Sequence, residues 1–335
     1  MTQSATTAAT SRPNRTGSGW VGNAFGLRLE ADLPILGLDR SDRALEPQTR
    51  IRRAQPDEID AAWPATEAER VADRRRSDGT VVITVDVHSV HGYRIDAPTY
   101  GRFRVAMDGS LIECAPAPGP AWRWHRALFG QALPLAATLS GLGILHASAV
   151  LLDGAAIAFS GHSGAGKTSL AIHLVDQGAA LLTDDVVALS AIQGRPHIHP
   201  GGRLANVVEE QLEAIDPARR RRLGRLIGRS DKLHLVIGPL ADDAAPLGAL
   251  YFINRRPEVD KLDFERLDPP DPRWLLASAF IPHIAAPPRT RAQLEACALI
   301  ATAVPTFQLH VPPRLAAPSL APLVIEHARQ LDRSP

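Results

Sequence analysis

The sharpest chemical signal in the chain is the run Gly161, His162, Ser163, Gly164, Ala165, Gly166, Lys167 and Thr168, which matches the pattern G-x-x-x-x-G-K-[ST]. Glycines let such a loop curl so that successive N–H groups point inward, and the helix that follows adds unpaired N–H groups and the positive end of its dipole. Together these bind phosphate oxygens. Lys167 can reach the β and γ phosphates, and the Thr168 hydroxyl is the expected Mg2+ ligand, because Mg2+ takes oxygen ligands in an octahedral shell shared with phosphates and water. Ser169 completes the nucleotide-binding set. The flanks are those the motif requires: residues 155–160 are an apolar run of strand length, and residues 168–177 have helical character. Binding of ATP or GTP with Mg2+ is the expected chemistry.

A second chemical feature follows closely. Gly178 is placed to end the helix, residues 180–182 form another short apolar run, and Asp184 and Asp185 stand together at its end. Adjacent carboxylates repel each other's charge, so one of them can have a raised pKa suited to accepting a proton. A strand would place the two on opposite faces, which leaves open which one serves as the base. Upstream, Asp153-Gly154 separates the apolar runs 144–152 and 155–160, a tight-turn dipeptide that predicts an antiparallel hairpin leading into the loop.

These residues resemble a known family. His146 two residues before Ser148, the loop GHSGAGKTS, the helix ending at Gly178 and the segment LLTDDVVAL are similar to the catalytic core of HPr kinase/phosphorylase and related kinases, among them the kinases of lasso-peptide precursors. The resemblance is dense over residues 143–189. It implies an α/β fold with a P-loop serine kinase core of the HPr kinase/phosphoenolpyruvate carboxykinase type. Carried over residue by residue, it puts Lys167 and the loop backbone on the phosphates of ATP, Thr168 on Mg2+, Asp185 as general base, and Asp184 beside the metal or its water shell. His146 corresponds to a histidine near the phosphates; it either orients or buffers the transfer site, or is a polar residue on a hairpin strand. The comparable region after the aspartates, His197-Ile198-His199-Pro200-Gly201-Gly202-Arg203-Leu204, lacks the acidic residue of the family's reverse-reaction signature. That departure argues against phosphorylase activity and against HPr as the substrate.

The rest of the chain must position this core. Its 335 residues, 45% hydrophobic, suffice for one large domain or two modest ones, and a net charge of +1 gives no global argument for nucleic acid or a membrane surface. Cys114 and Cys297 cannot make a disulfide framework, and no stretch reaches the roughly eighteen apolar residues that cross a bilayer. A cytoplasmic protein is expected, with a disordered tail at residues 1–19, a small β-rich region over 20–120 and the P-loop catalytic domain over 121–335.

Within the β-rich region, residues 80–90 alternate as a strand and Asp108-Gly109 marks a hairpin, whereas residues 38–77, polar and rich in Arg at 50–53 and 74–76, read as variable surface structure. Residues 122–140 have helical spacing with a kink at Pro134. Beyond the aspartates, Asp216-Pro217 starts a helix carrying Arg219–Arg222 and Arg225, residues 247–253 are a buried strand, 274–284 and 291–303 are helices, 306–311 is a strand, and Ser319 caps a closing helix over 320–331. Arg203 and Lys232 are candidates to place an additional cation on the phosphates.

The activity expected from this pattern is transfer of the γ phosphoryl group of ATP to a serine hydroxyl of a peptide or protein, with a biosynthetic precursor peptide as the favoured partner and a homo-oligomer as the favoured state. Two rivals stand beside it: a small-molecule hydroxyl kinase, and a nucleotide-dependent switch that performs little transfer.

Overall fold

In the computed structural model, residues 19–41, 46–64, 66–238, 241, 243–281 and 283–331 are described; the tail expected over residues 1–19 lies almost wholly outside them. The described residues form a mixed α/β structure with three sheets.

The first sheet has 8 strands, in the order Trp20–Ala24, Leu27–Ala31, Thr49–Arg53, Leu111–Pro116, Gly101–Val105, Gly92–Ala97, Val81–His88, Glu69–Arg75. Period-2 alternation is plain in Leu27–Ala31 and Gly101–Val105, whose buried residues Leu27, Leu29, Phe103 and Val105 face one core. The strand and hairpin expected around residues 80–90 and 108–109 are both present. Two strands and a short helix, Pro56–Ala61, occupy the stretch expected to be irregular. Their apolar signal is faint because each shows a charged face to solvent: in Thr49–Arg53 only Thr49 and Ile51 point inward. Arg50 pairs with Glu30, and Arg52 and Arg104 both pair with the buried carboxylate of Glu113.

The helical segment after this sheet is Trp122–Ala127, a π-helical turn Leu128–Ala132, and Leu133–Leu139. Pro134 lacks an N–H and its ring crowds the carbonyl one turn back, so the distortion appears in the turn preceding the proline. Trp124, Leu128, Leu135 and Leu139 are buried against the first sheet, in one cluster with Leu29, Phe103 and Val105.

The second sheet has 9 strands, and the P-loop strand Ala155–Ser160 lies inside it. Asp153 (φ 49°) and Gly154 (φ 89°) make the tight turn, and Ala147–Leu152 pairs antiparallel with the P-loop strand, as the dipeptide predicts. On its other side lies the parallel strand Ala245–Arg255, itself parallel to Thr306–Val311. Both faces are covered. Ile157 and Phe159 pack under the P-loop helix Lys167–Asp176 and the closing helix Ala317–Leu331; Ala156 and Ala158 face a second cluster that includes Cys297 and Ile300 of helix Pro287–Ala303.

Several boundaries differ from expectation. The helix expected over 274–284 is only Pro272–Ala277; beyond it Ala279 bridges to Leu145 and Phe280 donates to the Ile144 carbonyl, so the chain leaves the helix to seal the sheet edge. The closing helix begins at Ala317, which puts Ser319 in its first turn instead of at its cap. Asp216 does cap Pro217–Leu223, accepting from the N–H groups of Ala218 (2.8 Å) and Arg219 (3.2 Å), but the helix stops before Arg225, which lies on strand Gly224–Arg229 of the third sheet. That sheet, Leu204–Val207, Leu233–Ile237 and Gly224–Arg229, is antiparallel throughout.

Pro200-Gly201-Gly202 ties the first hairpin to the second sheet. The Phe25 N–H donates to the Pro200 carbonyl (2.7 Å) and the Gly201 N–H to the Leu182 carbonyl (2.8 Å). A Cβ at Gly201 would run into the Thr183 hydroxyl and the Phe25 ring, and one at Gly202 into the Phe129 ring. The glycines are therefore demanded by packing. Gly201→Ala is expected to cost about 2 kcal/mol, as overpacking a well-filled site does, read as a lower urea midpoint with an unchanged slope.

Candidate active site

The P-loop leaves its strand at Ser160 and enters its helix at Lys167. Gly161, Gly164 and Gly166 all have positive φ (146°, 84° and 98°), conformations that admit glycine and strain most other residues. Gly166 is the N-cap in the left-handed region, and no side chain caps the helix, so its first N–H groups stay available to an anion. From the neighbouring parallel strand, Arg255 donates through Nε to the Ala165 carbonyl (3.2 Å) and through Nη1 to the Leu315 carbonyl (2.9 Å). This residue was not singled out in the sequence. Its place at the carboxyl end of an apolar strand is the signal that could have found it, since ligands of parallel sheets gather there.

Lys167 is 7% exposed. Its ammonium donates to the carbonyls of Gly161 (2.8 Å) and His162 (3.3 Å) and to Nε2 of His146 (3.1 Å). Burial lowers its pKa, against the raising fields of Asp185 and Asp184, and Lys232 lowers it further. Because Nε2 of His146 accepts from an ammonium, its Nδ1 carries the proton, which it donates to the Asp185 carbonyl (3.0 Å) with the Asp185 carboxylate 3.4 Å away. His146 thus links the lysine to the aspartate turn.

The question of which carboxylate points where is settled by that turn. The strand Ala180–Thr183 ends before the pair, the Thr183 hydroxyl donates to the Val186 carbonyl (2.6 Å), and Asp185 takes a left-handed φ of 71°. Both aspartates therefore line one cavity instead of opposite strand faces. Asp184 turns inward: Oδ1 accepts from the hydroxyls of Thr168 (2.8 Å) and Ser148 (2.7 Å), and Oδ2 from the Asn206 N–H (3.4 Å). Burial first, then the charge of Asp185, raise its pKa to about 6, with those three hydrogen bonds pulling it back down. Asp185 turns outward, with its side chain 52% exposed.

Thr168 and Asp184 bring two hard oxygen donors together beside the loop, a set that fits Mg2+ sharing its shell with phosphate oxygens and water. Among the described residues there is no group of three or more His, Cys, Asp or Glu side chains that could hold a metal ion without such partners. Ser163 faces the cavity, and the His162 imidazole turns back to the Ser163 carbonyl (2.8 Å). Of the two further cation candidates, Lys232 lines the cavity. Arg203 does not: its guanidinium pairs with Asp39, and its backbone N–H donates to the Gly37 carbonyl.

The cavity has a volume of about 430 Å3, within the range of small-molecule sites. Its walls come from the first and third sheets and the turns of the second: Ile83 from the first, with Tyr100 from the turn beside it, Phe129 from the π-helical turn, Asn206 and His234 from the third, and His146 and Asp185 from turns of the second. A second cavity of about 420 Å3 lies on the other side of His146, lined by Gly161, Phe252, Trp274 and Gln308 among others.

Together the loop, its strand and its helix define a P-loop nucleotide-binding element in a mixed α/β protein. No protein-family model matches the chain. It is 30% identical over 125 residues to the tRNA modification GTPase MnmE of Pseudomonas entomophila, covering 35% of this chain and 27% of that protein. To the tRNA modification GTPase MnmE of Pseudomonas aeruginosa it is 32% identical over 128 residues, again with 35% and 27% covered. The chain thus spans about a quarter of the length of the curated relatives it matches. Among solved structures it is similar to the HPr(Ser) kinase/phosphatase from Coxiella burnetii, with a TM-score of 0.30 and 11% identity over 57% of this chain and 96% of that one. Among the described residues no helix is long and apolar enough to cross a membrane.

Proposed function

We propose that the protein is an ATP-dependent kinase of the HPr kinase type, transferring the γ phosphoryl group to a hydroxyl of a peptide or a smaller acceptor. One observation carries the reading: Asp184, bonded to Thr168 of the P-loop, and Asp185 beside it line the same cavity. A protein that only binds and releases nucleotide has no need of a second compartment facing its carboxylates.

The residues divide the work by position. The loop N–H groups and Lys167 hold the β and γ phosphates, for which Lys167 exchanges its bonds to its own loop carbonyls. Thr168 and Asp184 would hold Mg2+, which supplies neutralisation of the phosphate charge. Asp185, exposed to the cavity, accepts the proton of the acceptor hydroxyl as its oxygen attacks phosphorus. His146 holds Asp185 through its Nδ1–H and the Lys167 ammonium through Nε2, which makes it a positioning residue.

Mass spectrometry of the full chain incubated with Mg2+, ATP or GTP, and a panel of serine peptides and free hydroxy compounds tests this. A gain of one phosphate on an acceptor is expected, lost by about a hundredfold or more in Lys167→Ala, as when one fixed donor to developing charge is removed. The likeness to MnmE favours a second reading, a nucleotide hydrolase that acts as a switch. Release of inorganic phosphate with no labelled acceptor would favour it.

A further inference from the structure

The acceptor side of the cavity has a chemical character of its own. Its lining residues include two carboxylates, Asp184 and Asp185, at the P-loop end, and three basic side chains, Arg74, Arg126 and Lys232. The cations come from separate parts of the chain: Arg74 from edge strand Glu69–Arg75 of the first sheet, Arg126 from helix Trp122–Ala127, and Lys232 from the turn before Leu233–Ile237. Among the described residues none of the three forms an ion pair, although the Asp231 carboxylate is held below its ordinary range by its hydrogen bond from Ser230 and in part by the charges of Arg126 and Lys232. Elsewhere on the first sheet Arg50, Arg52, Arg70, Arg94, Arg102 and Arg104 each meet a carboxylate.

Two features hold the cations where they are. The Arg126 guanidinium lies 5.8 Å from the centroid of Tyr100, over its ring, which orients it without neutralising it. The His234 imidazole, stacked on Trp122 at 4.1 Å and bonded to Asn206 Oδ1 (2.7 Å) and Ser230 Oγ (2.9 Å), lines the cavity with Arg126 and Lys232. Its pKa is pushed down to about 4, by burial first and then by Arg126 and Lys232, against the opposing field of Asp231, so the imidazole stays neutral and adds no charge of its own. Three cations converging on one cavity, Arg74 and Lys232 from exposed positions and Arg126 half-buried, offer an anion several donors at once. The nucleotide phosphates belong to the loop; the cavity on the other side of His146 has none of these cations.

We infer that the acceptor of this site carries an anionic group, a carboxylate or a phosphate, which Arg74, Arg126 and Lys232 bind while Asp185 faces its hydroxyl. The inference rests on the kinase reading above for the hydroxyl, but the anion site stands on the cavity itself. The anion has two sources with one chemistry, a free hydroxy acid or an acidic side chain next to a serine in a peptide.

The test uses matched pairs: glycerate against glycerol, glycerol 3-phosphate against glycerol, and hexapeptides with Glu, Gln or Lys beside a single serine. Binding is measured by calorimetry in the presence of Mg2+ and a non-hydrolysable ATP analogue, and transfer by mass spectrometry with ATP. The charged member of a pair should be preferred by roughly tenfold or more, the usual scale of one charge-assisted hydrogen bond. Arg126→Gln should erase that preference by raising the acceptor KM while leaving nucleotide affinity as it was. Arg74→Glu, a change on an exposed strand edge that the fold tolerates, should shift peptide preference from Glu towards Lys. The arm that gains phosphate, hydroxy acid or peptide, names the source.

Equal binding of charged and uncharged partners overturns the inference. So does a loss of nucleotide affinity in Arg126→Gln and Arg74→Glu without loss of acceptor preference, which would assign the cations to the nucleotide. If the acids bind under the control of Arg126 but ATP is only hydrolysed, the anion site stands and the kinase reading falls.

Discussion

Asp185→Asn should lower phosphoryl transfer by about a hundredfold to ten-thousandfold, the usual contribution of a positioned general base, while nucleotide binds as tightly as before. The separation follows from geometry. Asp185 accepts no bond from the loop; its carboxylate is 3.4 Å from His146 Nδ1 and half open to the cavity. Asparagine is also the substitution that the backbone tolerates best, since the residue sits at φ 71° and Asn adopts the left-handed region readily. The fold is therefore preserved and the loss is chemical. Single-turnover transfer and nucleotide affinity, measured on the same preparation, decide it. Unchanged transfer would remove Asp185 from the reaction, and lost affinity would mean that it serves the nucleotide.

Asp184→Asn is expected to move stability and activity in opposite directions. The wild-type carboxylate is held at about 6 against an ordinary 3.8, so the folded protein binds its proton more readily than the unfolded chain. Stability that is fully present below the ordinary value is lost as pH rises through about 6, and a rise of that size corresponds to about 3 kcal/mol. Asparagine carries no charge and its Oδ1 can still accept from Thr168 and Ser148. Its Nδ2 would meet the Asn206 N–H, which offsets part of the gain.

The variant without metal should thus be more stable than wild type by on the order of 2 kcal/mol at pH 8, with the difference vanishing near pH 4. Urea titrations with chelator present at the two pH values read this directly. Transfer should fall by about a hundredfold or more, because an amide cannot balance the charge of Mg2+. A variant equally stable at both pH values would show that Asp184 is not held under strain, and a fully active one would remove it from the metal.

Much of the nucleotide site was legible because its determinants are local. A curled glycine loop between a strand and a helix is specified by neighbours in sequence, and the positive φ values at Gly161, Gly164 and Gly166 are the conformations that those glycines permit. The Asp153-Gly154 turn is local in the same sense. Legibility failed where a strand kept few apolar residues, as in Thr49–Arg53 and Glu69–Arg75, because charged faces hide the period-2 signal. Arg203, a candidate because phosphoryl transfer profits from an additional cation, has its guanidinium paired with Asp39 in the fold.

The amino-acid order alone determined that this chain has a phosphate-binding loop with a lysine, a hydroxyl and two nearby carboxylates, since each lies within one short stretch whose backbone geometry its own residues dictate. Only the tertiary structure decided what those groups face. The turn at Asp185 swings both carboxylates to one cavity, and residues as far apart as Arg74, Arg126 and Lys232 are brought to it by the first sheet, a helix and the third sheet. Contacts between segments so distant in sequence depend on packing of the whole core, and no local pattern encodes them.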